Sequence, residues 1–232
     1  VVATHFLPAD VCSAGKAAGW LAASLVVVIT DLYPHRFWIS REPDAMVVAT
    51  PESATVLTQR GISTDRIHVM GIPIGSGFAR SYERGDLERA FGRVPHRRTI
   101  LVTSGGTTVG PFDRVVAALA SLEETWPNRI QLLIICGDNA AAVNRLQQLA
   151  RRRAMPMRVF GFIDTMPQAM AASDLIVAKA GGLTVMEALG GGVPLILYYV
   201  IPGQERLNAE YVSRPGAARI ALGVTSTPPL RI

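Results

Sequence analysis

The stretch Leu175-Ile176-Val177-Ala178-Lys179-Ala180-Gly181-Gly182-Leu183-Thr184-Val185-Met186-Glu187-Ala188-Leu189 decides the fold. It reads as an apolar strand over Leu175 to Ala178, a turn with paired glycines, and a helix near Thr184 to Leu189. A strand that is apolar throughout needs cover on both faces, which is the environment of a parallel sheet in an α/β protein. Reading outward, the same unit recurs from Thr99 on. Strands are expected at Thr99 to Thr103, Ile130 to Cys136, Met157 to Phe160 and Val193 to Tyr199. Helices are expected near Phe112 to Leu122, Ala140 to Arg152, Pro167 to Ala172 and Gln204 to Arg214. Residues 99–232 are therefore expected to form a Rossmann-like domain.

Residues 1–76 follow the same grammar with fewer units. Strands are expected at Val1 to His5, Leu25 to Thr30, Ala45 to Ala49 and Ile67 to Met70, and helices through Lys16 to Ala23 and Glu52 to Arg60. Three or four strands fall short of a full doubly wound domain, so this half is expected to be an incomplete Rossmann-like domain with N-terminal elements missing. Residues 77–98 are polar, Arg-rich and punctuated by glycine, and are expected to be a linker with a short helix over Leu87 to Phe91.

Composition narrows the function classes. With 49% hydrophobic and 18% charged residues the chain is an ordinary globular one. Its net charge of +5 is spread over both halves and clusters only at His96-Arg97-Arg98 and Arg151-Arg152-Arg153, without interleaved aromatics, so nucleic acid is not expected as a partner. The two cysteines, Cys12 and Cys136, lack metal-ligand spacing and read as free thiols, which fits a reducing, cytoplasmic compartment. No signal peptide is visible. The longest apolar runs are shorter than the ~20 residues a membrane-crossing helix needs.

In open parallel sheets ligands bind beyond the carboxyl ends of the strands, where loops lead into helix N-termini with free N–H groups. Three such loops stand out. Ser104-Gly105-Gly106-Thr107-Thr108-Val109-Gly110 lets the backbone approach a phosphate or a sugar, yet has neither the spacing of a dinucleotide fingerprint nor the Gly-Lys-Ser/Thr of a P-loop. Lys179 to Glu187 places two glycines and a cation at a helix start. Thr184 and Glu187 also have capping-box spacing, so Glu187 reads either as a cap partner or as a carboxylate that accepts both ribose hydroxyls. Pro202-Gly203-Gln204-Glu205 with Asn208 opens a further helix, and Gln204 and Asn208 share a face from which amides can exchange paired hydrogen bonds with sugar hydroxyls.

With these residues in view, the chain resembles the monogalactosyldiacylglycerol synthase and diacylglycerol glucosyltransferase family. These are GT-B glycosyltransferases related to the lipid-linked N-acetylglucosaminyltransferase of peptidoglycan synthesis. The resemblance runs through Val28-Ile29-Thr30-Asp31-Leu32 with His35 and Trp38, Gly71-Ile72-Pro73-Ile74 with Phe78, Gly105-Gly106 and Gly161-Phe162. It is most specific at Lys179 to Thr184 with Glu187 and at Pro202 to Glu205 with Asn208. It implies a UDP-hexose donor, UDP-galactose or UDP-glucose, and no metal or other cofactor. The uracil would lie near Gly161, Phe162 and Met166, and the diphosphate on the loops at Gly105-Gly106 and Gly181-Gly182, with Thr107, Lys179 and Thr184 also among the UDP-sugar-binding residues. Glu187 would take the ribose, and Gln204, Glu205 and Asn208 the transferred sugar. It further implies a diacylglycerol-type acceptor reached from the membrane surface, with the protein peripheral at the inner face of the cell membrane. Family members carry a strand and a Gly-His loop ahead of the point where this sequence starts, and the main acceptor base is expected there. His5, Asp31 and His35 remain as acceptor-side candidates, with Asp31 and His35 the catalytic candidates among them. Two other classes stay open: a UDP-N-acetylglucosamine epimerase-like or soluble-acceptor GT-B enzyme, and a non-catalytic UDP-sugar-binding module.

Overall fold

The computed structural model describes residues 1–40, 42–106, 110–201 and 204–221. Among them the strands are β1 (Val2–Ala3), β2 (Val26–Val28), β3 (Ala45–Val48), β4 (Ile67–Val69), β5 (Arg98–Thr103), β6 (Ile130–Ile135), β7 (Met157–Phe160), β8 (Leu175–Lys179), β9 (Leu195–Tyr199) and β10 (Ala218–Ile220). The helices are α1 (Phe6–Ala17), α2 (Pro51–Gln59), α3 (Arg84–Phe91), α4 (Phe112–Ala120), α5 (Leu122–Thr125), α6 (Ala140–Arg151), α7 (Met166–Ala171), α8 (Gly182–Gly190) and α9 (Gln204–Ser213). Contacts divide the chain into two units. Unit 1 is Val1–Ile74 with Gly181–Leu183 and Ile201–Tyr211; unit 2 is Gly75–Ala180, Thr184–Val200 and the described residues from Val212 on.

Unit 1 is built on a four-stranded parallel sheet in chain order, β1-β2-β3-β4. Leu25, Val27, Ile29, Trp38, Met46, Val48 and Leu57 are buried in its core. Thr50 accepts a hydrogen bond from the Ser53 N–H and Pro51 stands at the first helical position, which is why α2 starts where it does. The helix expected through Lys16 to Ala23 lies earlier, at Phe6–Ala17. His5 caps it by accepting from the Leu7 N–H, and Gly19, at φ 77°, leaves the helical region just beyond its end. The chain then turns back, with the ring of Trp20 2.5 Å from where a Cβ on Gly15 would sit, a contact only glycine at that position admits.

Unit 2 holds a six-stranded sheet, all of its pairs parallel, in the order β10-β9-β8-β5-β6-β7. The chain leaves β5 for β6 and β7 on one side, then returns to build β8, β9 and β10 on the other. The strand order therefore reverses between β5 and β8, and this switch point is where loops part and a ligand crevice opens in such sheets. Ile134, Val102, Phe112, Val116 and Leu146 are buried in the core. One amide lies buried against the sheet: Gln131 donates to Thr99 Oγ1 at 2.7 Å and accepts from the Val94 N–H at 2.7 Å, so its polarity is satisfied. Residues 77–98 pack within unit 2, with Leu87 and Phe91 buried and Phe91 edge-on to Phe160 at 6.0 Å. Strand β10 had no counterpart in the sequence reading.

Candidate functional site

In unit 2 the glycines at the ends of neighbouring strands converge. The chain turns beyond β5 with Ser104 wholly buried and Gly105 at φ 79°, its N–H directed to Thr103 Oγ1. Gly106 accepts from the Asp138 N–H at 3.2 Å, which ties this loop to the turn after β6. Gly137 sits under that tie. A Cβ on it would lie 2.4 Å from Gly106 O and 3.0 Å from Gly105 O, so only glycine admits the approach. A Cβ on Gly161, at the end of β7, would be 3.5 Å from Gly137 O. Gly137 was not singled out from the sequence; its signal is Cys-Gly-Asp-Asn directly after an apolar strand, the same strand-then-glycine pattern as at Gly105.

Lys179 reaches the same place. The pairing of β8 with β9 shifts register between Ala178 and Lys179, and a Cβ on Gly105 would lie 3.6 Å from Lys179 Cε. A bulge of this kind re-aims a strand-end side chain, and here it lays the lysine stem along the glycine loop. Phe162 is exposed, and Met166 is the first residue of α7. Thr107 lies outside the described residues, as do Thr108, Val109, Pro202 and Gly203 and the side chain of Gln204.

The structure removes one of the two readings of Glu187. Helix α8 begins at Gly182, so Thr184 is its third residue rather than its cap, and Glu187 stands in the second turn. No capping box forms, because the cap position must precede the helix. The Glu187 carboxyl is half-buried, and loss of water around it pushes its pKa above the usual carboxylate value.

In unit 1 a second set of residues meets. Asp31 Oδ2 accepts from Trp38 Nε1 at 2.8 Å and lies 3.7 Å from His35 Nε2. Asn208 Oδ1 accepts from the Leu32 N–H at 2.9 Å, and its Nδ2 donates to Asp31 Oδ1 at 3.5 Å. Burial pushes the His35 pKa down; Asp31 opposes this, while His5 and Arg60 add to it. Glu205 is buried and its Oε2 accepts from the Ile201 N–H. Gly182 approaches the Thr30 carbonyl so closely that a Cβ would lie 2.3 Å from it. The two amino-acid sets are thus separately assembled: Gly105, Gly106, Gly161 and Lys179 in unit 2, and Asp31, His35, Gly182 and Asn208 in unit 1.

Two sheets of parallel strands with glycine loops at the strand ends are the fold of GT-B glycosyltransferases. MurG of Acinetobacter baumannii shares it with a TM-score of 0.62 and 18% identity over 93% of this chain and 57% of that one. HepE of Anabaena, solved in complex with UDP, does so with a TM-score of 0.62 and 17% identity over 94% of this chain and 63% of that one. Residues 99–228 match the glycosyltransferase family 28 C-terminal domain, and the chain belongs to that family. Residues 1–74 match the monogalactosyldiacylglycerol (MGDG) synthase domain. A processive diacylglycerol beta-glucosyltransferase of Bacillus mycoides is 31% identical over 192 residues, 82% of this chain and 48% of that one. The chain spans about half the length of the curated relatives it matches.

Proposed function

We propose that this chain carries the donor-binding part of an inverting glycosyltransferase that moves a hexose from a UDP-sugar to diacylglycerol. The observation that carries the reading is the meeting of Gly105, Gly106, Gly137 and Gly161 at adjoining strand ends beside Lys179. Bare backbone with a cation alongside is what a diphosphate requires. In this reading the uracil lies near Gly161, Phe162 and Met166, and Glu187 holds the ribose. The diphosphate takes the Gly105-Gly106 loop with Lys179, and the α8 start at Gly181 to Thr184. The hexose is held at the start of α9, where Gln204 and Glu205 stand, and Asp31 and His35 are the acceptor-side groups.

Chemically, a base removes the proton of the acceptor glycerol hydroxyl. That oxygen forms its bond to the anomeric carbon as the bond to the UDP oxygen breaks in line. UDP leaves with the electron pair, its growing charge met by N–H groups, the helix dipole and Lys179. The diacylglycerol glucosyltransferase relatives, and the match of residues 1–74, support diacylglycerol as acceptor. Exposed Leu7, Val11, Trp20 and Phe37 support work at a membrane surface. No helix among the described residues is long and apolar enough to cross one.

Calorimetric titration of the chain with UDP tests the reading. Binding is expected, weakened by about 1–3 kcal/mol in Glu187→Ala, the usual cost of losing a hydrogen bond to a charged group. A folded chain that takes up no UDP refutes the donor site. Binding of UDP-glucose without transfer to diacylglycerol by the full-length protein would instead mark a binding module.

A further inference from the structure

Asp31 follows β2 and has the look of an acceptor base, but its surroundings in unit 1 argue for another task. Its side chain is 11% exposed, and both oxygens already face N–H donors: Oδ2 the Trp38 indole at 2.8 Å, Oδ1 the Asn208 amide at 3.5 Å. Asn208 has no exposed surface and uses its two ends for two different partners, its oxygen on the Leu32 N–H and its nitrogen on Asp31. An amide so placed cannot be turned over without facing donor to donor. His35 is spoken for as well. Its Nδ1 accepts from the Phe37 N–H at 3.2 Å, which assigns the proton of the neutral ring to Nε2, the buried nitrogen 3.7 Å from Asp31. In that tautomer neither ring nitrogen has a lone pair to offer an acceptor hydroxyl.

We propose that Asp31 and Asn208 are positioning residues that act as a pair: a buried anchor that holds helix α9 in register with the Thr30 to Leu32 turn, and through α9 sets the place of the transferred sugar. Asn208, four residues beyond the start of α9, thereby serves the sugar through the helix and does not touch it. Glu205, one turn earlier, closes the segment on itself through the Ile201 N–H. The sugar part of this inference rests on the donor reading proposed above; the anchor itself rests on hydrogen bonds within unit 1.

The reciprocal exchange D31N/N208D is the test, because it preserves the bonds to Trp38, to Leu32 and between residues 31 and 208. The new amide at 31 can accept from Trp38 and donate to the new carboxylate at 208, whose other oxygen accepts from the Leu32 N–H. Each single exchange breaks the pair: D31N sets amide against amide, and N208D sets carboxylate against carboxylate. By hydrogen exchange, protection of the Leu32 amide is expected to fall at least about tenfold in N208D and in D31N and to return in the double variant. By titration, the ratio of UDP-glucose to UDP affinity is expected to fall toward one in the single variants, with UDP affinity itself held within about twofold, and to recover in the double. Transfer by the full-length protein is expected to recover with it.

Three results overturn the proposal: protection that the double variant does not restore, sugar discrimination that the single variants leave intact, or transfer that stays abolished in the double after protection has returned. The last would make Asp31 the base. If the single variants do not fold, folding regained in the double decides the pairing. W38F, which removes one donor from Asp31 and keeps a ring in place, then carries the sugar measurement, with reduced discrimination expected and unchanged discrimination overturning the coupling. A folded wild-type chain that binds no UDP refutes the donor reading, while Leu32 protection still decides the anchor.

Discussion

Replacing Gly137 by alanine tests the glycine cluster more sharply than any change of a charged group. The residue has φ 57°, where an L side chain costs about 1–2 kcal/mol. Its new Cβ would lie 2.4 Å from Gly106 O and 2.9 Å from Gly106 C, so the carbonyl must retreat by about 1 Å to reach ordinary contact. Overpacking against backbone adds about 1–3 kcal/mol. Gly192 supplies the control: its φ is 67°, so alanine there carries the same conformational cost, but nothing lies within 4 Å of the added Cβ. The difference between Gly137→Ala and Gly192→Ala therefore isolates the clash. It can be read in unit 2 from the rate at which Cys136, wholly buried and next in sequence to Gly137, reacts with a thiol reagent in a Cys12→Ser background. Gly137→Ala is expected to open more readily than Gly192→Ala by about 1–3 kcal/mol. Because the displaced loop is the proposed diphosphate cradle, UDP affinity is expected to fall by a similar amount, roughly 5- to 150-fold. Equal opening in the two variants would refute the packing argument. Unequal opening with equal UDP affinity would refute the cradle.

Three further outcomes can be checked independently. Burial raises the Glu187 pKa above 4.5, so the folded chain holds that proton more tightly than the unfolded one; the group's contribution to stability is full below 4.5 and is lost as pH rises through the folded value. Glu187→Gln is accordingly expected to raise the melting temperature at pH 7, with the gain shrinking as pH approaches 4.5, while UDP binding weakens. Asp174 shows the opposite sign. Burial pushes its pKa up, but the Thr99 N–H, Arg98 and Arg93 outweigh this and hold it below 3.8, so its contribution is present above that value and lost as pH falls through the folded one. Asp174→Asn is expected to cost roughly 1–2 kcal/mol at pH 7, with the deficit closing on acidification in a denaturation series. Burial lifts the Cys136 thiol to about 11, so native chain at pH 8 is expected to label at Cys12 first and at Cys136 only on unfolding, as peptide mass mapping would show.

The parallel sheets were legible because β6, β8 and β9 are almost wholly apolar runs closed by a glycine or a polar turn, and β5, β6 and β8 are buried along nearly their whole length. The start of α1 was hidden because its cap is a histidine, and because the alanines around Gly19 look more helical than Phe6 to Asp10. Strand β10 is three residues whose place is set by pairing with β9, a contact that no local pattern announces. At the site, the glycine pairs at 105–106 and 181–182 were visible as departures from helix and strand preference. Gly137 escaped because a single glycine after a strand carries little information until the loop it must clear is known. The Asp31–Asn208 contact spans 177 residues of sequence and was likewise beyond any local reading; the helix face shared with Gln204 and the family resemblance pointed Asn208 to the sugar, not to Asp31.

Unit 1 is not a continuous length of polypeptide. The four described strands of its sheet have all been made by Val69, yet the segment Ile201–Tyr211 that holds Asp31 and Leu32 comes only after nearly all of unit 2. At a ribosomal pace of about 5–20 residues per second, the interval between Ile74 and Tyr211 is on the order of ten seconds. Through that interval the Asn208 partner of Asp31 and Leu32 does not yet exist, so this anchor can close only after helix α9 has been made.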